Sequence, residues 1–230
     1  MNVQDRNKSV KMHMNQIYII TGHYGSGKTE FSVNFALSLK EKYEKVILVD
    51  LDIVNPYFRS HDAKALLENA GVTVLAPHYA GTNVDIPVLP PEIMRIFEEK
   101  DAQIVLDVGG DDDGAIALGR YKQYFDKANY EMYLVVNTRR PLTATKEEII
   151  EMKENIEIAS RLTITGLISD TNIADETTEE IVMEGVYLTE EVSQTLGLSL
   201  VYVVTGETVG VLPDTVAKKQ FPIKRHLLKI

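Results

Sequence analysis

The stretch Gly22-His23-Tyr24-Gly25-Ser26-Gly27-Lys28-Thr29 decides how the rest of the chain reads. It fits the pattern G-x-x-x-x-G-K-[S/T]. An apolar run, QIYIIT at residues 16–21, ends immediately before it. After it Phe31, Phe35 and Leu39 recur at four-residue spacing, as on one face of a helix. A glycine-rich turn between a strand and a helix N-terminus is a phosphate cradle. Glycines at 22, 25 and 27 let the backbone curl until its N–H groups converge. The helix end adds a positive dipole. Lys28 sets a compact charge against the β- and γ-phosphates, and Thr29 offers a hydroxyl to Mg²⁺. The nucleotide-binding set expected here is Gly22, His23, Tyr24, Gly25, Ser26, Gly27, Lys28, Thr29 and Glu30, with Lys28 also catalytic.

Outward from this loop, short apolar runs alternate with helical patterns. The runs are residues 17–20, 46–49, 72–75, 104–108, 132–136, 162–168 and 198–204. Most are rich in Ile, Val and Leu without polar alternation, as strands buried on both faces are. Between them, Thr143 opens a stretch rich in Glu, Ile and Met, and Thr177 or Thr178 precedes another at 179–194. This alternation predicts one α/β domain over 16–230. Its sheet is mostly parallel, of about seven strands, with helices on both faces and right-handed crossovers. Residues 1–15 read as a flexible extension.

A phosphate cradle that uses Mg²⁺ needs hard oxygen ligands. The run 104–106 leads into Asp107-Val108-Gly109-Gly110. An Asp at the C-terminal end of an apolar strand stands on the ligand side of an open α/β sheet. Asp107 is therefore the expected Walker B carboxylate, and Gly110 the start of a switch loop. A second run, 46–49, ends in Asp50-Leu51-Asp52, whose two carboxylates share one side of the strand. The expected metal set is Thr29, Asp50 and Asp107. Asp52 is the expected catalytic residue that orients the attacking water.

GHYGSGKT near the N-terminus, VDLDIVNP one helix later and VLDVGG on a later strand together resemble the MinD/ParA group of P-loop NTPases, within the SIMIBI class. That group includes the CobQ/CobB-type synthetases. The resemblance covers most of residues 16–205. It implies that Asp50 stands in the Mg²⁺ shell and that Asp52 positions water. It also implies homodimers in which an early signature lysine of one subunit reaches the other's phosphates. Here that position is His23, followed by Tyr24 instead of glycine. His23 or Arg59 is then the candidate for the missing charge.

The N-K-x-D string common in GTP-specific proteins of this fold is absent: Asn137-Thr138-Arg139-Arg140 lacks both Lys and Asp. ATP is the expected nucleotide. By resemblance its base lies between the loops after Val136 and Ile168, so Asn137, Asp170 and Asn172 are the candidate base contacts. Asp111-Asp112-Asp113 reads as a solvated loop. His61 and His78 have no zinc-like spacing. The Gly- and Pro-rich segment 77–91 reads as a long loop with the character of a lid.

A net charge of −10 repels nucleic-acid phosphates and argues against broad nucleic-acid binding. The absence of cysteine excludes disulfides, thiolate zinc sites and cysteine-held iron–sulfur clusters within this chain. Residues 1–15 carry no apolar signal core, and no apolar run reaches the roughly 20 residues of a membrane helix, so the cytoplasm is expected. The tail AKKQFPIKRHLLKI at 217–230 reads as a last strand or short helix with a solvated basic face. Pro222 interrupts the long amphipathic helix that membrane contact would use. Three functions fit: an ATPase switch acting on a protein partner, a kinase or synthetase acting on a small-molecule substrate, and a nucleotide sensor that does not hydrolyse.

Overall fold

The computed structural model describes residues 16–51, 61–76, 91–109 and 112–226, without the side chains of 61–63, 91–92 and 112–113. The extension 1–15, Asp52, Arg59, His78, the loop 77–90, Gly110 and Asp111 lie outside the described residues. So do the side chains of His61, Asp112 and Asp113.

Each of the seven apolar runs contains a strand: β1 (Gln16–Gly22), β2 (Lys45–Leu51), β3 (Thr73–Leu75), β4 (Ala102–Val108), β5 (Tyr130–Val136), β6 (Gly166–Ser169) and β7 (Ser199–Thr205). An eighth, β8 (Gln220–Pro222), adds to the edge beside β7. The order across the sheet is β3-β2-β4-β1-β5-β6-β7-β8, and every neighbouring pair is parallel. The sheet thus has eight strands where about seven are expected. The basic tail is in part a strand, and β8 is held by register with β7 and not by a long apolar run.

Helices α1 (Lys28–Lys40) and α2 (His61–Asn69) cover one face. Their Phe31, Val33, Phe35, Leu39 and Leu67 pack with Ile20, Val46, Leu48 and Val105. The other face is covered by α3 (Pro91–Met94), α4 (Asp112–Arg120), α5 (Lys122–Phe125), α6 (Lys146–Ser160), α7 (Glu179–Leu196) and α8 (Asp214–Ala217). There Ile93, Leu118, Phe125, Ile149, Val182 and Val186 meet Ile17, Ile19, Val49, Leu106 and Leu134. Alternate strand residues feed the two cores, which is how a strand buried on both sides uses its period of two.

Aromatic packing fixes α1. Phe31 stacks on Phe35 at 5.3 Å and lies 5.2 Å from Phe221 of β8, while Phe35 meets Tyr18 edge-on at 4.9 Å. The helix that carries Lys28 and Thr29 is thereby tied to both β1 and the last strand.

Two helix starts bear on the site. Helix α7 begins at the Thr178 cap, as read. Helix α6 begins at Thr145, not Thr143: Thr145 and Glu148 cap each other's backbone N–H groups, a reciprocal capping box. Thr143 is instead fully buried, and its hydroxyl donates to Asn137 O at 2.7 Å. A tertiary demand from the loop after β5 takes the hydroxyl that local sequence would give to a cap.

Candidate functional site

The loop between β1 and α1 has the backbone that its glycines allow. Gly25 (φ +73°) and Gly27 (φ +95°) are left-handed, and Gly22 sits at φ +147° with its Cα face against Val135 O of β5. Lys28 is buried, and its Nζ donates to His23 O at 2.9 Å, which arches the side chain over the loop. Thr29 and Glu30 follow in the first helical turn. Tyr24 stands exposed at the apex.

Asp50 and Asp107 end adjacent strands in register with each other. Each is 1 % exposed. They share the α1 face, because Val46, Leu48 and Val105 on the same alternation belong to the α1 core. Ser32 of α1 donates to Asp107 Oδ1 at 3.3 Å. The topology therefore brings together, under one helix N-terminus, the cradle and two of the three acids singled out in the sequence. Among the described residues no cluster of three or more His, Cys, Asp or Glu side chains is placed to hold a metal ion.

A cavity of about 680 Å³ opens from the cradle toward the loops after β5, β6 and β7. Its wall includes His23, Gly25, Gly27, Lys28, Thr29 and Glu30 on one side and Arg140, Asp170, Thr171 and Asn172 on the other, with Ile223 and Arg225 from beyond β8. That volume lies in the usual range for small-ligand sites. Asp170 and Asn172 thus reach the cavity. Asn172 Nδ2 donates to Asp170 Oδ1 at 3.1 Å. Burial pushes the Asp170 carboxyl up to about 8; the bond from Asn172 opposes this and the Glu30 carboxylate reinforces it.

Asn137 is fully buried and does not line the cavity. Its side chain accepts from Arg139 N at 3.0 Å and donates to Asn172 O at 3.3 Å. It clamps the loop after β5 to the loop after β6. Four buried polar atoms here have no hydrogen-bond partner: His23 Nδ1, Ser26 Oγ, Ser169 Oγ and Asp170 Oδ2. Buried polar groups are nearly always satisfied, and two of these four, His23 and Asp170, belong to the wall of the cavity.

Sequence reading misses Arg140, Thr177, Ile223 and Arg225 in this wall. The first belongs to NTRR, which in sequence reads only as a base motif lacking Lys and Asp. The C-terminal pair is placed by β8, which no long apolar run announces.

A parallel sheet with a glycine-rich turn after β1, a buried lysine and an acid-tipped β4 beside it is the P-loop NTPase fold. No protein-family model matches the chain, and no curated protein matches it. Among solved structures the chain is similar to cell division protein FtsY from Thermotoga maritima (17 % identity, TM-score 0.54, 92 % of this chain and 67 % of that one). It is also similar to chloroplast FtsY from Physcomitrella patens (15 %, 0.54, 87 % and 59 %). A third is the signal recognition particle receptor FtsY from Elizabethkingia anophelis (16 %, 0.52, 86 % and 58 %). The chain spans 58–67 % of the length of these three proteins, and at this identity the likeness concerns the fold. No described helix is long and apolar enough to cross a membrane.

Proposed function

We propose that this chain is a Mg²⁺-dependent ATPase, MinD/ParA-like in its motifs, that works as a nucleotide switch on a protein partner. The cradle carries this reading: a loop whose φ values need glycine at 25 and 27, closed by a buried lysine, at the mouth of a nucleotide-sized cavity.

The residues present fit Mg²⁺. The Thr29 hydroxyl, Asp50 and Asp107 are hard oxygen donors, and the two buried carboxyl groups, in register on adjacent strands, are the residues that would hold the ion. Mg²⁺ keeps several waters, so two or three protein oxygens suffice. When bound, it neutralises charge on the β- and γ-phosphates. Lys28 grips the same oxygens, and the loop N–H groups hold the triphosphate in line. Asp52, two residues past Asp50, orients the water. Phosphoryl transfer depends mainly on such positioning and charge.

Adenine is the preferred base because the N-K-x-D string common in GTP-specific proteins of this fold is absent, Asn137-Thr138-Arg139-Arg140 lacking both Lys and Asp.

The test is calorimetry and turnover with Mg²⁺-ATP. The protein alone should bind ATP and hydrolyse it slowly, and Lys28→Ala should lose both binding and ATP-induced thermal stabilisation. Stabilisation retained in Lys28→Ala would refute the site. Turnover that appears only with an added small-molecule acceptor would replace the switch by a kinase or synthetase.

A further inference from the structure

Arg140 is the cavity-lining arginine whose charge the fold leaves uncommitted. The turn that carries it is fixed from below. Arg140 N donates to Asn137 O at 3.1 Å, and the buried Thr143 hydroxyl donates to the same carbonyl. From this base the side chain crosses to the cradle. Its Nε donates to Gly25 O at 3.1 Å, and its guanidinium carbon would lie 3.5 Å from a Cβ built on Gly25. The bare glycine lets the guanidinium plane lie against the loop.

The arginine next in sequence and the other arginine of the cavity wall are engaged with acids: Arg139 pairs with Glu184 and Arg225 with Asp175. Among the described residues Arg140 makes no ion pair, and its one side-chain hydrogen bond uses Nε alone. The terminal N–H groups of a guanidinium form a rigid fork that suits phosphate oxygens. A Mg²⁺-bound triphosphate keeps net negative charge after Lys28 is counted. The position of the resembling group's signature lysine is His23 in this chain.

We propose that Arg140, braced on Gly25, is a second cation for the phosphate tail, supplied from the loop after β5 within the same chain. This rests on the P-loop reading above and adds to it the residue that replaces the signature lysine without a partner subunit.

The experiment is titration calorimetry of the full chain with AMP, ADP and ATP, each with Mg²⁺, for wild type, Arg140→Ala, Arg140→Gln and Arg140→Lys. Loss of a charge-assisted hydrogen bond should weaken ATP about ten- to a hundred-fold in the Ala and Gln variants. ADP should weaken less and AMP by under about twofold, while Lys recovers part of the loss through charge without the fork. A residue that only braces Gly25 gives another pattern: equal losses for all three nucleotides, with Gln restoring binding. That pattern, or ATP affinity unchanged in Arg140→Ala, overturns the proposal. A wild-type protein that binds none of the three overturns the P-loop reading itself, and the two failures are distinct. If Arg140→Ala does not fold, the Gln and Lys variants carry the comparison.

Discussion

A Cβ built on Gly27 would lie 1.9 Å from Asp170 Oδ2, so the cradle and the loop after β6 meet at a point where only a glycine leaves room. Gly27 also sits at φ +95°. Alanine there meets two obstacles. The backbone conformation costs about 1–2 kcal/mol for an L-residue. The carboxyl must also move, and Asp170 is short, buried and tied to Asn172. Gly27→Ala should fold, as judged by circular dichroism, but bind Mg²⁺-ATP at least about tenfold more weakly, or ~1.4 kcal/mol. Wild-type affinity in calorimetry would show that the two loops adjust independently.

The same carboxyl makes stability depend on pH. In the unfolded chain Asp170 titrates near its ordinary 3.8, whereas burial holds the folded group up to about 8. Between those values the folded state keeps a proton that the unfolded state has lost, so stability falls as pH rises through the window and is level above it. Asp170→Asn removes this contribution. Its melting temperature should gain on wild type steadily from about pH 4 to pH 8 and then hold a constant lead. ATP affinity of the wild type should drop above about pH 8 as a carboxylate forms against the cradle and repels the phosphates, while that of the Asn variant stays flat. Parallel pH profiles for the two proteins would remove Asp170 from both roles.

What the sequence discloses follows the range of the interaction. Residues 22–29 combine local spacing with chemistry, so cradle, helix and lysine are all readable from one string. The strands β1, β4 and β5 are readable because both their faces are buried. Strand β8 is half readable: the tail reads as a last strand or a short helix, and three residues ending in Pro222 carry no period that chooses between them, since Phe221 is held by Phe31 and Tyr202. Arg140 reaches Gly25 across 115 residues, and nothing local marks such a meeting. Thr143 shows the reverse error: a threonine ahead of a Glu-rich stretch has the look of a cap, yet the Asn137 carbonyl claims it.

The paired acids should separate binding from turnover. Asp107→Asn keeps the shape and an acceptor for Ser32 but removes one of the two buried carboxyl groups under the cradle. Nucleotide binding measured with EDTA should change little or improve, because a carboxylate near the phosphates repels them. The added affinity on supplying Mg²⁺ should shrink by about tenfold or more, and hydrolysis should fall with it. An unaltered Mg²⁺ response in titrations of the variant would take Asp107 out of the metal shell.

The C-terminal segment is a wall of the cavity beside the cradle, and part of its hold comes from α1. Asn34 of α1 donates to Lys224 O at 2.9 Å and accepts from Lys224 N at 3.0 Å, while His226 N donates to Glu30 at 3.2 Å. Ile223 and Arg225, which line the cavity, lie within this strap. The Asn34 pair is exposed, so its loss should cost about 1–2 kcal/mol, mostly as local opening. Asn34→Ala should exchange the amide protons of Lys224 and His226 faster and bind ATP a few-fold more weakly. Linkage then requires the reverse effect: ATP that contacts the wall must slow that exchange in the wild type. Deuterium exchange with and without Mg²⁺-ATP measures both directions. If protection of the segment ignores the nucleotide, the strap is a fixed edge of the sheet and has no part in the site.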